Sequence, residues 1–400
     1  MKDAIHERLF ALKLGARVAA TLFLPFLTGP RDQLSYYEKR PLLTPDEPLG
    51  RFVRGVLREQ KIEHKAAEVK EFLDAAMPAA SRVYLGKAWL QLSVAAGEDG
   101  IGLAIFNSNQ RIQDAFFAYL TSLGIDTEAA RFSRALCQTL SPSAFGMLRA
   151  EFFADEPTRY SIFPGWLLDP FRGHGGFAES LRALPAAVRD TPLVRNAERL
   201  AAMQAPDLYP YGYGLSFTAG GDIELKLYTT RYDKQTSPLG EGSCLRRLIA
   251  AMGVPAAEMR RIQALHDRMW ETCGTKAIQV SAAVSDRQVA PDRLALLYCG
   301  ADLEVTKAAV REFGLVPEAA AVIDAFGARM KVDRAMYLGF GVSAAGLSKR
   351  MKLYDAAFFR DASTSVLTDD AAAPVASSSA PRAVEQAPRP FLASLRARRS

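Results

Sequence analysis

The sequence predicts an α+β fold: a ten-stranded antiparallel β-barrel made of five repeated helix-flanked hairpins, with helices outside and a ligand chamber inside. Three observations predict it. Five segments read as strand–turn–strand, with centres spaced roughly 60–70 residues apart, which is the sign of an internal repeat. Stretches of helical period lie between them. Two hairpins also share a motif: Gly212-Tyr-Gly-Leu-Ser216 precedes Lys226-Leu-Tyr228, and Gly339-Phe-Gly-Val-Ser343 precedes Lys352-Leu-Tyr354.

In chain order, residues 10–29 are apolar but contain Lys13 and Arg17 and follow Asp3 and Glu7. A secretory leader has a basic start and an uncharged apolar run, and a membrane span tolerates few charges. Residues 5–26 therefore read as an amphipathic helix, and a soluble cytoplasmic protein without a membrane span is expected. The first hairpin, 88–106, turns at Gly97-Glu-Asp-Gly100. The second, 147–163, turns at Asp155-Glu-Pro157, and the third, 212–229, at Gly220-Gly221. The fourth, 277–299, has a longer loop containing Asp286 and Pro291; the fifth, 338–355, turns near Gly346. Helical period marks 112–123, 129–140, 197–204, 256–272, 303–313 and 317–330. Residues 1–361 are expected to form a single barrel domain with an N-terminal helical segment. Residues 362–400 are rich in Ala, Ser and Pro, with too little apolar surface to offset ordering entropy, and read as a disordered tail.

Composition excludes several classes. The chain has 400 residues, 49% apolar and 24% charged, which is globular. Lys plus Arg is 50 against 44 Asp plus Glu, a net charge of +6 that is too mild and too scattered for a nucleic-acid partner. Cys137, Cys244, Cys273 and Cys299 form no Cys-x-x-Cys pair, and His6, His64, His174 and His266 form no metal motif. Neither Gly-x-Ser-x-Gly nor a P-loop occurs. Phe171-Arg-Gly-His-Gly-Gly176 reads as a connecting loop.

Strand alternation points to a site. Along 223–228 one face carries Ile223, Leu225 and Leu227, and the other Glu224, Lys226 and Tyr228. In the fifth hairpin Met351 and Leu353 oppose Arg350, Lys352 and Tyr354; in the fourth, Leu296 and Tyr298 share a face. If the sheet closes, the helices take the apolar face and the polar face lines a chamber. Enclosed Lys and Arg need an anion. An open sheet with these residues in solvent is the other reading.

These features resemble the ABBA aromatic prenyltransferases, especially the indole dimethylallyltransferase branch, over roughly residues 60–360. The resemblance implies α-β-β-α repeats and transfer of a prenyl group from its diphosphate to a small aromatic acceptor. Dimethylallyl is the expected group and geranyl the second choice. It implies Arg149, Lys226, Arg350 and Lys352 as diphosphate ligands. It also implies Tyr213, Tyr228, Tyr298 and Tyr354 as shields of the allyl cation. Glu224 is the candidate base, or an ion-pair partner of Lys226. The branch places a Glu on its first strand to accept the indole N–H. Here that strand is Trp89-Leu-Gln-Leu-Ser-Val94, so Gln91 or Ser93 would hold the acceptor. Ser161-Ile-Phe163 replaces Lys-x-Tyr in the second repeat, where Arg149 and Arg159 would supply charge. No Asp-Asp-x-x-Asp motif occurs, so no metal and no cofactor is expected, Mg²⁺ included. The expected assembly is a monomer or homodimer. A non-catalytic barrel for an anionic isoprenoid or lipid, and a phosphatase-like enzyme, are the alternatives.

Overall fold

The computed structural model describes residues 43–77, 88–107, 110–125, 134, 146–163, 181–182, 186–204, 207–218, 223–231, 237–272, 278–284, 286–315 and 318–368. The expected helices over 5–26 and 129–140, the loop 171–176 and residues 369–400 lie outside the described residues. Within them the five hairpins are β1 (Ala88–Ala96) with β2 (Gly100–Asn107), and β3 (Gly146–Phe153) with β4 (Arg159–Phe163). β5 (Tyr209–Thr218) and β6 (Ile223–Arg231) follow, then β7 (Ile278–Val284) and β8 (Arg293–Asp302), then β9 (Arg334–Ser343) and β10 (Gly346–Phe359). Each strand pairs antiparallel with its neighbours in sequence, and β1 pairs with β10 from Ala88↔Phe359 to Ala96↔Met351. The sheet is therefore a closed barrel, which leaves no unpaired edge. The open-sheet reading is excluded.

Nine helices are described: α1 (Leu49–Glu59), α2 (Ala66–Ala76), α3 (Gln110–Ser122), α4 (Ala186–Arg189), α5 (Pro192–Gln204), α6 (Cys244–Ala251), α7 (Ala256–Thr272), α8 (Leu303–Glu312) and α9 (Ala319–Met330). Helix starts have local causes. Ser243 accepts from Arg246 N (3.2 Å) at α6, and Asp302 accepts from Glu304 N (3.0 Å) and Val305 N (3.1 Å) at α8.

The core lies between this helical layer and the barrel's outer face. Phe72 of α2 packs edge-on against Phe152 of β3 (6.1 Å) and Phe116 of α3 (6.2 Å). Leu294, Leu296 and Tyr298 of β8 and Phe340 of β9 belong to the same buried cluster. Residues 365–367 form a 3₁₀ turn that buries Leu367 beside α1 and α2. No helix among the described residues is long and apolar enough to cross a membrane.

His266 of α7 is wholly buried in this layer, between the Tyr298 hydroxyl (Nδ1, 2.9 Å) and the Ser237 hydroxyl (Nε2, 3.1 Å). Burial holds its pKa down at about 4, so the folded state keeps the imidazole neutral. Its stabilising effect is complete above the unfolded value near 6.5 and is lost as pH falls toward 4. His266→Gln is expected to lower the melting temperature at pH 7. It should also remove part of the further loss that wild type shows between pH 6.5 and 4, which melts across that range will show.

Candidate functional site

The strands bring their polar face together inside the barrel. Lys352 on β10 and Glu151 on β3 are separated by β1 and β2, about 14 Å along the sheet at ordinary strand spacing. Yet Lys352 Nζ donates to Glu151 Oε1 at 2.7 Å. Only a chord through the barrel permits this. Arg149, two residues before Glu151, shares its inward face; its Nη2 donates to the same Oε1 (2.7 Å) and to Ser93 Oγ of β1 (2.9 Å). Gly102 lies between them: a Cβ there would stand 2.4 Å from Ser93 Oγ and 2.8 Å from Arg149 Nη2. The glycine is what lets the guanidinium cross β2.

Toward the hairpin end, Arg293 of β8 grips Glu224 of β6 with both fork nitrogens, Nε to Oε1 (2.7 Å) and Nη2 to Oε2 (2.6 Å). Lys226 Nζ is 3.3 Å from the same carboxylate. Arg159 of β4 adds its charge to this group. Deeper in, the cations give way to rings. The Arg149 guanidinium lies over the Tyr354 ring (5.1 Å), Tyr354 meets Tyr337 of β9 (6.5 Å), and Tyr228 meets Phe163 of β4 across β5 (5.6 Å). Ala104, Met147, Phe163 and Tyr228 form an apolar cluster separate from the outer core. Inward glycines give long neighbours room to cross: a Cβ at Gly214 would stand 2.6 Å from the Phe163 ring, and one at Gly339 2.8 Å from Leu297 Cδ2.

Electrostatics mark this interior. Burial alone would raise Glu151, but Lys352, Arg149 and Lys226 overcome it and hold the carboxyl well below the usual range. Glu224 likewise falls to about 2: burial opposes ionisation, and Lys226, Arg293 and Arg159 win. Lys226 and Lys352 move down, because burial outweighs the attraction of the two carboxylates. Tyr228 and Tyr354 move up through burial, so both phenols stay protonated at neutral pH. Among the described residues of this group, Arg149, Arg159, Lys226, Arg293 and Lys352 exceed Glu151 and Glu224 by three positive charges. No set of three or more His, Cys, Asp and Glu side chains is placed to hold a metal ion among the described residues.

Of the residues expected from sequence, Arg149, Lys226, Lys352, Tyr228, Tyr354, Ser93 and Glu224 come together here. Gln91 lies deeper on β1, its amide donating to Met336 Sδ (3.8 Å). Arg350 stands apart at the rim, half exposed, bridging Glu98 (3.0 Å) and Glu156 (3.5 Å) on two hairpin turns. Two expectations are corrected. Tyr213 faces the helices: β5 ends at Thr218 and β6 begins at Ile223, so Tyr213 pairs with Leu227, while Gly212 pairs with Tyr228. The two-residue turn assumed from sequence is too short, and a one-residue shift flips the face. Tyr298 also faces outward, bonded to His266 and packed on Phe340 (6.1 Å), because Arg293, Ala295 and Leu297 take the inward positions of β8. Sequence reasoning missed Glu151, Arg293 and Tyr337. The alternation of Arg149 with Glu151 carries a signal for the first; nothing local marks the other two.

Glu151→Gln would leave Arg149 and Lys352 without their shared carboxylate. Breaking such a buried cluster is expected to cost about 3–5 kcal/mol. Added inorganic diphosphate should restore more melting temperature to this variant than to wild type, which thermal melts will show.

No family model and no curated protein matches the chain. Solved structures do. A 6-dimethylallyl tryptophan synthase superposes with a TM-score of 0.55 at 13% identity, covering 78% of this chain and 96% of that one. The 5-dimethylallyltryptophan synthase from Streptomyces coelicolor gives 0.54 at 13% identity over 81% and 100%. The same enzyme described in complex with DMASPP and Trp gives 0.53 at 13% over 84% and 99%. At this identity the likeness is one of architecture. The chain has the closed-barrel fold of the dimethylallyltryptophan synthases, as the resemblance to ABBA prenyltransferases implied.

Proposed function

We propose that the chain transfers a prenyl group from its diphosphate to an aromatic acceptor inside the barrel, with dimethylallyl as the first choice and geranyl as the second. The observation that carries this is the layering: an enclosed excess of cations directly above a set of aromatic rings. Lys226, Lys352, Arg149 and Arg293 neutralise the diphosphate and stabilise the charge that builds on it as the allylic C–O bond breaks. Its electron pair leaves with the diphosphate oxygen. Tyr228, Tyr354 and Tyr337 offer ring faces to the allyl cation and keep water from it. The acceptor ring gives a π pair to form the new bond, and the arenium ion then passes its proton to an oxygen of the departed diphosphate. Gln91, one inward position deeper than Ser93, would meet the acceptor; Gln279, also facing inward, is engaged, its amide donating to Tyr337 Oη (3.2 Å). Ser93 is engaged by Arg149 and serves the cation side. Glu224, held at about 2 by Arg293 and Lys226, is a poor base and fits the ion-pair role.

The reading also has the side-chain cations do without a metal. Titration with a non-hydrolysable dimethylallyl diphosphate analogue should therefore give micromolar binding unchanged by EDTA. Loss of binding in EDTA would refute the metal-free part. Lys352→Ala should lower turnover with an indole or phenol acceptor by about 10²–10³-fold; a wild-type rate would remove Lys352 from the site. Binding without turnover across acceptors would favour a ligand-holding barrel, and phosphate release without an acceptor a phosphatase.

Burial lowers both lysines, so their charge is lost at a pH below the ordinary lysine value. Analogue binding is expected to weaken on the alkaline side, and Lys352→Arg should move that limb to higher pH. A limb that does not move would exclude Lys352 as its source.

A further inference from the structure

Glu224 is, with Glu151, one of two carboxylates among the described residues of the chamber that work against an anionic ligand. It lies on the strand that offers Lys226, one turn of the pleat nearer the hairpin end. Its two oxygens take both fork nitrogens of Arg293. That is the bidentate geometry a phosphate would use. The reach across β7 is possible because Ala283 is the residue between Lys226 and Arg293 in the register. Lys226 contacts the same carboxylate at 3.3 Å. One side chain thus occupies two cations of the proposed ligand shell.

Glu151 is different. It is held by Arg149 and Lys352 with 5% of its side chain exposed, so it is fixed in the wall. Glu224 is 19% exposed and its partner Arg293 48% exposed. A partly solvated pair exchanges partners at little cost, whereas a fully enclosed one does not. An arriving anion can therefore displace Glu224 from Arg293 and Lys226, but only if its own charge exceeds what the carboxylate supplied.

We propose that Glu224 is an internal competitor that screens anions by charge. It holds Arg293 and Lys226 until a diphosphate ester displaces it, and it turns away monophosphates. This rests on reading the barrel as a diphosphate site and adds to it a residue that sets specificity.

The test is calorimetric titration with inorganic diphosphate and, separately, inorganic phosphate. Glu224→Gln keeps the shape and removes the charge. It is expected to bind diphosphate about tenfold more tightly than wild type, a gain close to the lower bound measured for close charge pairs. It should bind phosphate where wild type does not, so the ratio of the two affinities narrows. Unchanged or weaker diphosphate binding in Glu224→Gln, with binding still lost in Lys352→Ala, would overturn the proposal and leave the diphosphate site standing. Absence of diphosphate binding in wild type and Glu224→Gln alike would overturn the site and the proposal together. Tighter anion binding in Glu224→Gln without prenyl transfer by wild type would support the competitor and refute the transferase. If Glu224→Gln does not fold, Glu224→Asp answers instead. Its carboxylate is set back from Arg293 by one methylene, which lengthens the contact, and tighter diphosphate binding is again expected; no gain would overturn the proposal.

Discussion

Closure of ten strands into a ring puts every second side chain of each strand into one enclosed space. The other half goes to the helices. The helical layer must bury its apolar stripe, so Leu294 and Leu296 of β8, Phe152 of β3 and Phe340 of β9 point outward. The polar residues are then confined together, whatever the cost. Lys352 reaches Glu151 across the interior because no other direction is open to either. The site is thus a consequence of how the fold assigns its two faces.

Confinement sets the electrostatics. A charge taken from water into such a space is costly unless it is paired. Glu151 and Glu224 supply pairing for some of the cations and leave a surplus. Both lysines shift downward, chiefly because burial opposes their charge, with the neighbouring cations adding to it and the carboxylates opposing. An enclosed multivalent anion would offset this cost. In the proposed reaction the same enclosure would strengthen the field at the ionising C–O bond and keep water from the ion that forms.

How much of this the sequence showed depends on what each strand looks like alone. In β6 and β10 the alternation of Glu224, Lys226, Tyr228 and of Lys352, Tyr354 against leucines is complete, so the inward face was legible. So was the repeat, since each hairpin carries its own turn residues. Tyr213 was placed on the wrong face because strand parity depends on turn length, and Gly220-Gly221 suggests a tighter turn than the chain makes. Tyr298 misled for another reason. Tyrosine suits either face if its hydroxyl finds a partner, and His266, on a helix far away in sequence, provides one. Glu151 and Arg293 take their meaning from strands three and two places round the ring, and no local pattern contains that distance.

Departures from the resembled family make physical sense as a set. Where a Lys-x-Tyr would stand on β4, Ser161 and Phe163 stand instead; Ser161 shares a hydrogen bond with Ser216 (2.7 Å), and Phe163 lies on Tyr228. Position 161 carries no cation, but its register partner Arg149 does; it crosses β2 over Gly102 and reaches Ser93. This moves positive charge toward the strand that carries a carboxylate in the indole branch. With Ser93 drawn to Arg149, an acceptor N–H would meet the amide of Gln91 rather than an anion. An amide oxygen accepts a hydrogen bond without the added attraction of charge. If the chamber is a prenyl-transfer site as proposed, its charge is concentrated at the diphosphate end, and the acceptor end offers neutral hydrogen-bonding groups, which would favour breadth in the acceptor over the selectivity of a charged anchor.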